Sequence, residues 1–215
     1  MAVNIFLFVP NLIGFARVVL GIASLFYMND QPYVAMTLYW LSAFLDVFDG
    51  MAARHFNQST SFGAVLDMVS DRCTTLCLIM NCAMFYPGYL LAFQLLVVLD
   101  ISSHWLQMYS SMMKGKTSHK QIDLSENAFL RYYYMKPILF ALCSANELFF
   151  MALYFVHFDI LGTVEVAGLT LHLWPIIGYI SAPLFAIKHL VGLIQLVTAS
   201  QNIGIIDAAQ HEKKN

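Results

Sequence analysis

Six long apolar segments, each ended by a turn signal, leave this chain few folds to adopt. They lie near residues 11–28, 34–55, 62–86, 89–113, 137–158 and 174–199. A helix crosses a bilayer with about 20 mostly apolar residues, and it satisfies its own backbone polar groups where no water can. Between the segments stand "NDQPY" (29–33), "NQSTS" (57–61), "YPG" (86–88), the polar stretch 114–136 and "HFDILGTVEVAG" (157–168). Gly and Pro in these breaks are ordinary punctuation. The expected fold is an all-α membrane protein with six transmembrane helices, forming a single domain over residues 1–215. Composition supports this, with 60% hydrophobic and only 11% charged residues and a mean hydropathy of +0.67. Soluble domains carry roughly a quarter charged residues.

Met1 to Val9 is apolar but too short to span, and reads as a short interfacial helix leading into the first segment. It lacks a basic n-region and a small-residue cleavage site, so it is expected to be retained. The cysteines Cys73, Cys77, Cys82 and Cys143 all fall inside apolar segments and read as small buried residues, not as disulfide or zinc ligands. A net charge of −2 with no basic face gives no sign of a nucleic-acid partner. The breaks 29–33, 86–88 and 159–173 hold no Lys or Arg, whereas the other side holds Arg54, Lys114, Lys116, Lys120, Arg131, Lys136, Lys213 and Lys214. The positive-inside rule makes that second side cytosolic, together with both termini.

Against this background four carboxylates stand out. Asp46 and Asp49 are three residues apart at the cytosolic end of the second segment, and Asp67 and Asp71 are four apart at the start of the third. Each pair shares one helix face. A short turn makes the two helices antiparallel neighbours, so all four can converge near the cytosolic boundary. Carboxylates in or near a membrane are costly, and like charges in one site repel. Something must neutralise them. Oxygen-only ligands suit Mg²⁺ or Mn²⁺. Two such ions about 4 Å apart clamp the attacking and leaving oxygens of a phosphoryl transfer.

The spacing itself is Asp46-x2-Asp49-Gly50-x2-Ala53-Arg54-x8-Gly63-x3-Asp67-x3-Asp71, eight fixed positions in 26 residues. In these residues the chain resembles the CDP-alcohol phosphotransferase family, whose signature is this pattern. The resemblance implies a six-helix membrane enzyme that moves a phosphoalcohol group from a CDP-linked donor to an acceptor hydroxyl and releases CMP. It implies Asp46, Asp49, Asp67 and Asp71 as ligands of two divalent ions, with Asp71 also the base on the acceptor hydroxyl. Gly50, Ala53, Arg54, Thr60 and Gly63 would face CDP-diacylglycerol. Upstream, "PNLIGFAR" (10–17) resembles the family's first-helix motif, so Asn11 and Arg17 join the donor contacts, although Gly14 stands where the family commonly has Thr. An alternative for Arg17 is snorkelling to the interface.

Over most of its length, from "NIFLFVPNLIGFAR" through "FGAVLDMVSDR" and "DISSHWLQMYSS" to "SHKQIDLSENAFLRYYY", the chain is similar to the eukaryotic members that use free myo-inositol. This implies CDP-diacylglycerol as donor, the lipid bilayer as surroundings and the endoplasmic reticulum as location. For the acceptor pocket the candidates are His104, Lys120 and Arg131. His104 lies four residues after Asp100, and the two can instead satisfy one another. Glu147 and Lys188, at similar depth on the fifth and sixth segments, read as a structural ion pair within a chain or between the copies of a homodimer. Two other readings stay open: a CDP-alcohol phosphotransferase using serine, glycerol phosphate, choline or ethanolamine, and a divalent-cation transporter. The transporter fits poorly, because the acids cluster at one face and form no relay across the bilayer.

Overall fold

Each expected span is a helix in the computed structural model, which describes residues 4–113, 132–166 and 168–212. The helices are α1 (Val9–Leu25), α2 (Pro32–His55), α3 (Ser61–Phe85), α4 (Leu90–Met113), α5 (Lys136–His157) and α6 (Leu173–Glu212). Four of them, α2, α4, α5 and α6, are long and apolar enough to cross a membrane, which marks an integral membrane protein. The helix α1 has 17 residues, and α3 carries Asp67, Asp71 and Arg72 in its first half. Pro stands in the first turn of α1, α2 and α5, where its missing N–H costs nothing and its fixed φ starts a helix.

Three stretches differ from the expectation. Within residues 4–8 the backbone makes one 3-10 turn, Ile5–Leu7, held by the Asn4 side chain accepting from the Phe6 N–H at 3.1 Å. This short 3-10 helix leads directly into α1, which begins at Val9. The break after α5 contains a hairpin of β1 (Thr163–Val166) and β2 (Leu169–His172), paired antiparallel with Val164 opposite Leu171. Its signal was in the sequence: alternating β-branched residues around Gly168, whose φ of +80° supplies the left-handed turn. Finally, α6 does not stop near residue 199 but continues to Glu212, because "SQNIGIIDAAQHE" contains no Pro to end it.

The packing falls into two units, Met1–Asn81 and Cys82–Asn215. In the first, α1 lies against α2, and the Ser42 hydroxyl donates to the Arg17 carbonyl at 2.9 Å to fix their register. Small residues allow close approach: a Cβ on Gly14 would stand 2.7 Å from Leu66 Cδ2, and one on Gly21 3.1 Å from Thr74 Oγ1. Gly14 is thus occupied by its packing partner Leu66, which accounts for a missing hydroxyl at that position.

In the second unit α6 packs on both α4 and α5. Large apolar side chains such as Tyr179 and Ile180 point outward, while the buried residues of α4 are Phe93 followed by Asp100, Ser103, Gln107, Ser110 and Ser111. Those of α6 include Ser181, Lys188, Gly192, Gln195 and Ala199. This inversion of the soluble pattern suits lipid, where helices meet through small and polar residues. Lys188 Nζ lies 4.0 Å from Asp100 Oδ1, both side chains being 6% exposed. Lys188 is thus paired with Asp100 on α4, and Glu147 accepts from its neighbour Asn146 at 3.3 Å. Gln195 donates to the Tyr134 hydroxyl at 2.5 Å, and burial pushes that phenol above its ordinary range. Lys188→Met leaves Asp100 buried without its ammonium and is expected to destabilise by about 3 kcal/mol. Adding Asp100→Leu should recover most of it, as read by thermal unfolding in detergent.

Candidate active site and metal centre

The turn between α2 and α3 builds the site. After α2, Asn57 adopts φ +54°, a left-handed conformation that Asn tolerates, and the Gln58 N–H returns to the Ala53 carbonyl at 3.0 Å. This closes the end of α2 in the manner of a Schellman motif. The reversal aims Gln58 at α1, where its Oε1 accepts from the Val9 N–H at 2.9 Å. Thr60 then caps α3, its Oγ1 accepting from the Gly63 N–H at 2.9 Å. A Cβ on Gly63 would lie 2.8 Å from Asn11 Oδ1 and 3.1 Å from Thr60 Oγ1. Only Gly fits there without displacing Asn11.

With the helix ends fixed, Asp46, Asp49, Asp67 and Asp71 converge as their spacing requires. At their centre stands Arg17. Its Nη1 is 2.8 Å from Asp46 Oδ1, 2.5 Å from Asp49 Oδ2 and 3.2 Å from Asp67 Oδ1. Its Nη2 is paired with Asp71 Oδ1. The Arg17 side chain is 2% exposed, against 40% for Asp46 and 34% for Asp71, so it does not snorkel to the interface. A guanidinium buried this deeply holds because carboxylates surround it. The central placement of Arg17 does not follow from its first-helix motif. The available signal was a lone arginine in the first apolar segment of a chain whose next two segments bring four acids.

The donor set suits a hard divalent cation. One carboxylate oxygen from each of Asp46, Asp49 and Asp67 lies within 4.8 Å of the others, and oxygen-only sets of this kind take Mg²⁺, Mn²⁺ or Ca²⁺. Asp71 is outside that set of three and holds the other guanidinium nitrogen.

The remaining expected contacts divide. Gly50 and Ala53 lie partly buried on α2, with the exposed Arg54 one turn beyond Gly50. The Arg54 guanidinium folds back so that a Cβ on Gly50 would meet Nη1 at 3.5 Å. Asn11 is 1% exposed, and its Nδ2 donates to the Ile5 carbonyl at 2.7 Å. Its position ties the N-terminal turn to α1 and lines the approach to Gly63. His104 belongs to the second unit, where its Nδ1 lies 2.8 Å from the Asp100 carbonyl oxygen and 3.6 Å from Asp100 Oδ1. The mutual satisfaction of Asp100 and His104 is thus present. His104 also lines a small polar pocket with Ser103, Lys188, His189 and Gln195. Lys120 and Arg131 lie outside the described residues.

Comparison with known proteins gives one consistent answer. The model of the CDP-alcohol phosphatidyltransferase family matches residues 7–174. The chain is 50% identical over 213 residues to the CDP-diacylglycerol–inositol 3-phosphatidyltransferase of Homo sapiens, covering 98% of each chain. It is 42% identical over 215 residues to the enzyme of that name from Candida albicans, covering 99% of this chain and 88% of that one. The Saccharomyces cerevisiae enzyme of that name is 38% identical over 215 residues, with 100% and 94% covered. No solved structure matches the chain. With the family model covering the whole carboxylate site and full-length relatives on either side of it, the chain belongs to the CDP-alcohol phosphatidyltransferase family.

Proposed function

We propose that this membrane protein synthesises phosphatidylinositol, transferring the phosphatidyl group of CDP-diacylglycerol to free myo-inositol with release of CMP. The observation that carries the reading is 50% identity over 98% of both chains to a relative with that name. The convergence of Asp46, Asp49, Asp67 and Asp71 around one cationic point supports it independently. All six helices span the bilayer of the endoplasmic reticulum as one domain, with the carboxylate end and both termini cytosolic. The positive-inside pattern supports that orientation.

Asp46, Asp49 and Asp67 would hold Mg²⁺ or Mn²⁺, with Asp71 contributing to a second ion. Bound there, the cations supply charge neutralisation for the diphosphate of the donor and for the departing CMP. The chain's own residues do the rest. Arg54, exposed at the end of α2, pairs with donor phosphate in bidentate fashion. Gly50 and Ala53 keep the surface of α2 low so that the nucleotide approaches the backbone, Gly63 leaves room for Asn11 beside the donor, and the Thr60 hydroxyl hydrogen is free to donate to donor phosphate. Asp71 takes the proton from an inositol hydroxyl as that oxygen attacks the β-phosphorus. The new bond is oxygen to β-phosphorus, the broken one joins β-phosphorus to the bridging oxygen, and CMP leaves with the electron pair. His104, Lys120 and Arg131 are the candidate contacts of the neutral acceptor.

The acceptor is tested by presenting radiolabelled inositol, serine, glycerol phosphate, choline and ethanolamine with CDP-diacylglycerol to the purified chain. Inositol alone should enter lipid, and incorporation of serine in its place would refute the assignment. For the base, Asp71→Asn is expected to lower turnover by about 10²–10⁴-fold while CDP-diacylglycerol binding survives. Asp49→Asn should in addition weaken Mn²⁺ binding by about tenfold or more, since even groups that only orient metal ligands cost about that much. Calorimetric Mn²⁺ titration beside the turnover assay separates the two.

A further inference from the structure

The group at the centre of the carboxylates is a side chain of the protein. A single nitrogen, Arg17 Nη1, lies 2.5–3.2 Å from one oxygen each of Asp46, Asp49 and Asp67, and these three residues are the ones whose oxygens could surround a metal ion. A Mg²⁺ ion needs its oxygens at roughly 2.0–2.1 Å, and no point serves both cations at once. Arg17 and the first divalent ion therefore exclude each other from these oxygens.

Resting on the metal reading above, we infer that Arg17 is a built-in competitor for the metal position, a tethered cation that holds the carboxylates together until a divalent ion displaces its Nη1. Three observations shape the exchange. The Asp71 contact of Nη2 lies outside the three-residue set, so the first ion does not displace it and it serves as a pivot while Nη1 leaves. The Nε has no hydrogen-bond partner, so no bond at that atom resists rotation. The backbone of Arg17 is fixed by Ser42 at 2.9 Å, so the exchange is confined to the side chain. In formal charge, four carboxylates and one guanidinium leave −3, a strong pull on a divalent cation. Once displaced, the guanidinium is available to the donor diphosphate, so metal loading and donor recognition become one linked equilibrium.

A competitor lowers the apparent affinity of what it competes with, in proportion to the time it occupies the site. The full chain in lipid nanodiscs, without donor, is titrated with Mn²⁺ and the free ion is followed by electron paramagnetic resonance. Arg17→Gln is expected to bind Mn²⁺ about tenfold tighter than the parent, in the range of ordinary coupling between sites, and Arg17→Lys to stay near the parent. In EDTA, Arg17→Gln should melt at a lower temperature, with the deficit closing as Mn²⁺ is added. An equal or weaker Mn²⁺ affinity in Arg17→Gln overturns the inference, because a residue that merely supports the site would weaken binding when removed. Should Arg17→Gln fail to fold, the parent protein still decides: phenylglyoxal labelling of Arg17, read by mass spectrometry, should rise on saturation with Mn²⁺ while the exposed Arg54 stays constant. Unchanged labelling of Arg17 refutes the exchange. If neither parent nor variants bind Mn²⁺, the metal reading of the site fails, and this inference falls with it.

Discussion

The first three helices are organised around one buried guanidinium. Arg17 reaches carboxylates on two other helices, and neither side could occupy an apolar bundle alone. A lone charge at that depth costs several kcal/mol, and four uncompensated carboxylates would push their helices apart. The short turn at 57–60, the Gly63 approach and the Ser42 bond all serve to bring these groups to one point. Electrostatics and packing thus impose the same geometry, which is the consistency expected of a sequence that specifies one structure.

The second unit solves a related problem with fewer charges. Its α4 and α6 bury mainly polar and small residues, with Lys188 against Asp100 and Gln195 against Tyr134, whereas α5 buries large apolar ones such as Phe150, Met151 and Tyr154. In lipid the apolar side chains gain nothing by facing inward, so specificity between helices rests on these hydrogen bonds and on close backbone approach. A small pocket lined by Ser103, His104, Lys188 and Gln195 lies along that polar stripe.

Much of this was legible in advance because membrane helices obey a length rule and turn residues mark their ends. The expected 34–55 and the observed Pro32–His55 agree to within two residues, as do 137–158 and Lys136–His157. The four aspartates were legible from their spacing, which leaves each pair one helix face. What failed had local causes. Residues 4–8 make only a three-residue 3-10 helix before α1, the strands of the hairpin are four residues each, and the polar run Ser200-Gln201-Asn202, with no Pro after it, does not end α6. The position of Arg17 could not be read from α1 alone, because its cause lies in residues 29 to 54 positions further along the chain. Thr60 similarly shows in sequence as a polar turn residue, while its role as the cap of α3 depends on where Gly63 stands.

The Gln58 bond to Val9 joins residues 49 apart, and that separation has a consequence for biosynthesis. A chain is made from its N-terminus at roughly 5–20 residues per second. The first helix therefore leaves the ribosome seconds before its own cap exists, and Arg17 precedes Asp71 by 54 residues. Until Asp46 and Asp49 are made α1 holds a cation with no counter-charge, and its end stays uncapped until Gln58 is made. Its charge and its N-terminal cap are matched in full only once the second and third helices have both been made.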